Sequence, residues 1–110
     1  PFFLIQAFAL QCPTARIVNL GDTQVSGTHG SHFAYLLSKK GLIELTRMSA
    51  RALAPLARVN AVCPGPVLPD KHGGEEYFEK HHARLPLGRT ATVEEVTDVV
   101  IYLATQEALT

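Results

Sequence analysis

Tyr35-Leu36-Leu37-Ser38-Lys39 sets a phenol and an ammonium four residues apart at the start of an apolar-periodic segment. On a helix, positions i and i+4 share a face, so the two groups lie side by side. A neighbouring cation favours the ionised phenol and lowers its pKa, which makes a tyrosine a usable general acid near neutral pH. The same pattern arises by chance on many helices, where a solvated lysine flanks a half-buried tyrosine. Its meaning depends on what stands near it. Asp22, thirteen positions before Tyr35, closes one short apolar run as Gly21-Asp22, and Pro64-Gly65-Pro66-Val67 closes another. Alone, the first is a surface-turn carboxylate and the second a strand-ending turn. If the two runs are neighbouring strands, Asp22, Tyr35, Lys39 and Pro64-Gly65 converge on one edge of a sheet. Ligands of open α/β sheets bind beyond the carboxyl ends of the strands.

The elements that must position these groups are readable from periodicity. Residues 1–11 are densely apolar (Phe2, Phe3, Ile5, Ala7, Phe8, Leu10) and suit a helix buried on more than one side, stopped near Pro13. Residues 16–20 form a short β-prone run, and residues 23–32, rich in Gly, Ser, Thr and His, read as loop. A helix over 33–53 carries two stripes. Tyr35, Lys39, Leu42, Thr46, Ala50 and Leu53 lie on one; Leu37, Leu45, Met48 and Ala52 lie on the other. A second strand at 58–63 breaks at Pro64. Residues 68–91 are polar and irregular, with a short helix around Glu75 to His82. Thr92-Val93-Glu94-Glu95 matches a capping box that opens a last helix, with Val96, Val99, Val100 and Leu103 on one face. Helix, strand, helix, strand, long loop, helix is the order of an α/β fold with a parallel sheet and right-handed crossovers. Two strands are few for an independent sheet, and Pro1-Phe2-Phe3-Leu4-Ile5 reads as a helix already under way. Both features suggest one portion of a longer domain.

Composition excludes several classes. Within 110 residues, hydrophobic types make up 46% and charged types 18%, enough to build a core and too apolar for a disordered tail. Ten basic and ten acidic residues cancel with no basic stripe, which argues against nucleic acid and anionic membrane as partners. Cys12 and Cys63 lack metal or redox spacing and read as small buried hydrophobes in a reducing, cytoplasmic setting. His29, His32, His72, His81 and His82 lack an HExxH helix or partnered cysteines and read as solvated, so no metal site is expected. Glu75 to Lys80 reads as a solvated helix face.

Taken together, Ile17-Val18-Asn19, Tyr35-x-x-x-Lys39, Arg58-Val59-Asn60-Ala61-Val62 and Pro64-Gly65 resemble, in order and spacing, the C-terminal half of the short-chain dehydrogenase/reductase family. The resemblance spans essentially all 110 residues and implies part of a doubly wound, Rossmann-type parallel sheet, lacking the N-terminal strands and the closing strand. It implies Tyr35 as proton donor and Lys39 as the residue that holds the nicotinamide ribose and depresses the tyrosine pKa. Pro64, Gly65, Pro66 and Val67 would line the nicotinamide pocket. The implied cofactor is NADP, with NADPH rather than NADH for a reductive role. The family's glycine-rich phosphate loop would precede Pro1, so residues 1–110 alone should bind dinucleotide poorly.

One residue departs from the family pattern. The serine that polarises ordinary carbonyl substrates should stand thirteen residues before the tyrosine, and Asp22 stands there. An acid at that place, and the segment Ser31 to Lys39, are similar to the pteridine reductase and dihydromonapterin reductase branch. That likeness implies a pterin-like substrate, with Asp22 orienting the ring or relaying a proton. Alternatively Asp22 is a tolerated substitution, and Ser26 or Thr23 supplies the hydroxyl for ordinary ketones or alcohols. A non-catalytic oligomerising fragment also stays open, because helices 1–11 and 33–53 commonly build the dimer or tetramer interface of the family.

Overall fold

The computed structural model describes residues 1–12, 14–28, 32–69, 74–82 and 85–106. Helix α1 covers Phe2–Gln11 and strand β1 covers Ala15–Leu20. A 3₁₀ turn follows at Thr23–Ser26, then α2 at Phe33–Leu53 and β2 at Ala57–Val62. Helices α3 (Gly74–His82) and α4 (Val93–Thr105) complete the order. Strand and helix boundaries match the sequence expectation to within a residue. The difference is the turn at 23–26, expected as loop. Asp22 nucleates it, because its side chain accepts from the Gln24 amide and caps the first 3₁₀ donor.

Prolines set two of the helix ends. Cys12, which precedes Pro13, is extended (φ −125°, ψ 99°), as is Ala54 before Pro55 (φ −66°, ψ 142°). The Cδ of a trans proline clashes with a helical residue before it, which stops α1, and Pro55 has no amide hydrogen with which to continue α2. Helix α4 starts on a reciprocal capping box. Thr92 Oγ1 accepts from the Glu95 amide and Glu95 Oε2 accepts from the Thr92 amide.

β1 and β2 pair in parallel, Ala15 opposite Ala57 through Leu20 opposite Val62. Side chains alternate across a strand, and the hydrogen bonds show which helix covers which face. Asn19 reaches Thr46 of α2, whereas Arg16 reaches the Ala104 carbonyl of α4. Residues 16 and 19 have opposite parity, so α2 and α4 lie on opposite faces of the sheet. This is a helix–sheet–helix sandwich with its core at Ala15, Ala57 and Val59, joined by Leu36 from α2 and Ile5 from α1.

Three expectations about burial are corrected, the second of them in part. Helix α1 buries Ile5 alone, while Phe3 is 80% and Leu10 81% exposed. A sheet of two strands has area for one side of a helix only. On α2 the buried positions are Leu36, Thr46 and Ser49; Thr46 lies on the first expected stripe, whereas Leu36 and Ser49 belong to neither. Leu37 faces solvent and Met48 is 69% exposed. The cysteines are free and half-buried rather than core residues.

Candidate active site

The carboxyl end of β1 bends sharply at Gly21. A Cβ there would stand 2.6 Å from Cys63 Sγ and 3.0 Å from Ile43 Cδ1, so any larger residue would have to displace the Cys63 side chain. The ladder continues past both strands. The Gly21 amide donates to the Val62 carbonyl (2.7 Å), and the Thr23 amide donates to the Pro64 carbonyl (3.3 Å). These bonds bring the Asp22 turn beside the Pro64-Gly65 loop.

Helix α2 enters from the opposite side of this edge. Its position is set by a buried polar relay: Asn19 Nδ2 donates to Thr46 Oγ1 (2.9 Å), which donates to the Leu42 carbonyl (2.7 Å). Thr46 lies seven residues after Lys39, two helical turns along one face. The relay therefore fixes how far Tyr35 and Lys39 project past the strand ends. In the sequence Asn19 stood in the family-like run and Thr46 on a helix stripe, and nothing along the chain joined them.

The phenol of Tyr35 donates to Asp22 Oδ2 at 2.5 Å, while Oδ1 of the same carboxylate accepts from the Gln24 amide at 2.7 Å. Lys39 Nζ donates to the Leu20 carbonyl (2.9 Å) and to the Gly21 carbonyl (3.4 Å), 5.7 Å from the centre of the Tyr35 ring. Tyr35 is 45% exposed, so the site opens to solvent. Its phenol is pushed up to about 12, chiefly by the hydrogen bond to Asp22, then by burial and by the Asp22 charge. The expectation of a depressed tyrosine is corrected here. Ionising the phenol would remove the bonded proton and set two anions together. The ammonium of Lys39 is occupied by backbone carbonyls. The Tyr35 phenol thus keeps its proton at neutral pH.

Asp22, Tyr35, Lys39 and Pro64 are brought together; Pro66 and Val67 are not tied to them by any hydrogen bond among the described residues. A Cβ on Gly65 would find only Thr23 Oγ1, at 3.9 Å, so the face of this loop is open. Ser26, the alternative hydroxyl, donates to the Thr23 carbonyl of its own turn (3.1 Å) and leaves the phenol to Asp22. His82 Nε2 lies 3.0 Å from Thr90 Oγ1. His29, His72 and the His81 side chain fall outside the described residues. No group of three or more His, Cys, Asp or Glu able to hold a metal occurs among the described residues. No described helix is long and apolar enough to cross a membrane.

Residues 2–110 match the family model described as enoyl-(acyl carrier protein) reductase. The chain belongs to the short-chain dehydrogenase/reductase family. It is 38% identical to pteridine reductase 1 of Leishmania tarentolae over 98% of its own length and 41% of that protein. It is 36% identical to the 3-oxoacyl-[acyl-carrier-protein] reductase FabG of Aquifex aeolicus, over 84% of its length and 39% of the relative. Among solved structures, the Brucella canis FolM alternative dihydrofolate reductase 1 complexed with NADP superposes with a TM-score of 0.90 at 35% identity. That match covers 97% of this chain and 44% of the other. The chain thus spans about two fifths of the proteins it matches, and the α/β sandwich is part of a Rossmann-type fold.

Proposed function

We propose that this chain carries the catalytic edge of an NADPH-dependent short-chain reductase acting on a pterin-type ring. One observation supports this above the others: the Asp22 carboxylate lies against the Tyr35 phenol where a hydroxyl would suit a ketone. An ionised carboxylate only accepts hydrogen bonds. A ketone oxygen is also an acceptor, so Asp22 would repel it. A pterin offers ring N–H and amino donors, which Asp22 can bind and orient. The pterin-type names of the Leishmania and Brucella relatives support the same reading.

The residues present fit the nicotinamide end of the cofactor. Lys39 sets an ammonium at the carboxyl end of β1, and Gly65 leaves the adjoining loop face open. Lys39 and Tyr35 would hold the ribose, and Pro64, Gly65, Pro66 and Val67 would border the ring. When bound, NADPH supplies the hydride. The chain's own part is to hold the ring in place with Asp22 and deliver the Tyr35 proton to a ring nitrogen. The exposed apolar face of α1 and Met48 on α2 support assembly as a homodimer or homotetramer through these helices. The free thiols Cys12 and Cys63 suit the cytoplasm.

The similarity to FabG favours a second reading, a reductase of 3-oxoacyl substrates. Turnover of a dihydropterin and of a 3-oxoacyl thioester by the full-length protein and its Asp22→Ser variant separates them. Pterin turnover that collapses in D22S supports the first reading. Turnover of the thioester alone, improved in D22S, replaces it with the second.

A further inference from the structure

Lys40 follows Lys39 directly, and the two side chains leave the helix about 100° apart. They grip opposite ends of one segment. Lys39 binds its entrance at the Leu20 and Gly21 carbonyls. Lys40 Nζ, partly buried, donates to the Gly27 carbonyl at its exit, at 2.6 Å. Between these holds the segment is stiff. The Val25 amide donates to the Asp22 carbonyl (3.2 Å), the Gly27 amide to Gln24 (3.0 Å) and Ser26 Oγ to Thr23 (3.1 Å). Asp22 is built into that unit by its own carbonyl and by its carboxylate on Gln24. Any tilt of the exit therefore reaches the carboxylate that meets Tyr35.

We propose that Lys40 is a positioning residue, which seats the Asp22 turn on α2 and so sets the contact between Asp22 and Tyr35. The kinetic part rests on the pterin-reductase reading; the placement of the turn does not. That reading assigns Lys39 to the cofactor ribose, so the turn needs a hold independent of Lys39. Lys40 supplies it from the next position of the same helix. Nothing in the Tyr-x-x-x-Lys pattern called for a second lysine.

The test uses the full-length protein and its K40M and K40R variants. Methionine keeps the stem and loses the donor, whereas arginine keeps a donor. The Tyr35 phenol is titrated by NMR of isotope-labelled tyrosine without cofactor or substrate, with D22N as the reference for a lost contact. In K40M the phenol should titrate at least about one pH unit below the parent, toward D22N, and K40R should stay with the parent. On a dihydropterin, K40M should lose about tenfold in kcat/KM at unchanged NADPH affinity, and K40R should recover to within about threefold. A folded K40M whose phenol titrates like the parent's overturns the proposal whatever its kinetics. A shifted phenol with unchanged kcat/KM, in an enzyme that D22N disables, also overturns it. Should the parent turn over no pterin, the functional reading fails, while the titration still decides where Lys40 places the turn.

Discussion

At both the carboxyl edge of the sheet and the face covered by α4, side-chain cations hold backbone carbonyls, and the two regions use this device differently. On the α4 face, Arg58 donates to the Gln106 carbonyl and, at 3.1 Å, to Leu103, while Arg16 reaches Ala104 at 3.4 Å. The two arginines are register partners on adjacent strands. Together they meet the unpaired carbonyls and negative dipole end of a helix that has no basic residue in its last turn. Planar guanidinium forks aimed at a helix end make an anchor. At the carboxyl edge the cations are lysines, their acceptors are loop carbonyls, and between them sits a phenol bonded to a carboxylate. There the cations hold a turn in place and leave a titratable pair half open to solvent. The same interaction is structural where it ends a helix and preparatory where it frames an acid.

The largest effect that would break this contrast is on Tyr35. Tyr35→Phe should cut kcat by ~10²–10⁴-fold with only a modest loss of melting temperature, because the proposed general acid is lost together with one half-exposed hydrogen bond to Asp22 and no packing. A kcat within about threefold of the parent removes Tyr35 from the chemistry. Asp22→Ala should lower pterin kcat/KM by roughly ten- to hundredfold, with NADPH affinity almost intact, since a charged hydrogen bond is lost. It should also bring the Tyr35 phenol down from about 12 toward 10.0, because Asp22 is the main cause of the rise. Equal losses of affinity and turnover would make Asp22 a turn residue only.

Arg58→Met tests the anchor. It should cost about 2 kcal/mol in denaturant unfolding and leave the Tyr35 titration alone. A shifted phenol in this variant would show that the two regions are one network. The pH dependence of stability should separate them further, with opposite signs. The Tyr35 phenol is raised from 10.0 to about 12, so its contribution is full below pH 10.0 and is lost as pH rises through 12; Asp22→Asn should abolish that slope. Glu95, bonded by Arg89 and the Thr92 amide at the amino end of α4, is lowered from 4.5 to about 2. Its contribution is present above pH 4.5 and fades as pH falls through 2, and Arg89→Met should flatten it. The smallest effect concerns His32, which enters α2 in the left-handed region (φ 56°) with no side-chain cap. His32→Gly should be neutral or stabilising by up to about 1 kcal/mol in thermal unfolding.

Much of the site was legible in one dimension because its parts are local. Tyr35 and Lys39 share a helix turn, Thr92 and Glu95 announce their own cap, and Pro13 and Pro55 end helices because a proline ring and its missing amide hydrogen cannot continue them. Each is decided within a few residues of chain. The spacing of Asp22 before Tyr35 was visible too, but its meaning depended on β1 and β2 being neighbours, which the register Ala15 opposite Ala57 supplies.

Only the tertiary structure decided the direction in which the phenol is perturbed. Sequence proximity put the Lys39 ammonium next to Tyr35 and implied a lowered pKa. In the fold, the carbonyls at the end of β1 take that ammonium, and the carboxylate from thirteen residues upstream takes the phenol. The buried face of α2 was read only in part, with Thr46 expected but Leu36 and Ser49 missed, for a related reason. Helical periodicity shows that a face exists, whereas the strand it meets selects Leu36, Thr46 and Ser49. The role of Lys40 and the crowding at Gly21 were invisible along the chain, because each depends on an atom brought close from another element: the Gly27 carbonyl and Cys63 Sγ. Local stereochemistry and motif spacing are properties of the chain; a pKa and a steric limit belong to whatever folding sets within a few ångströms.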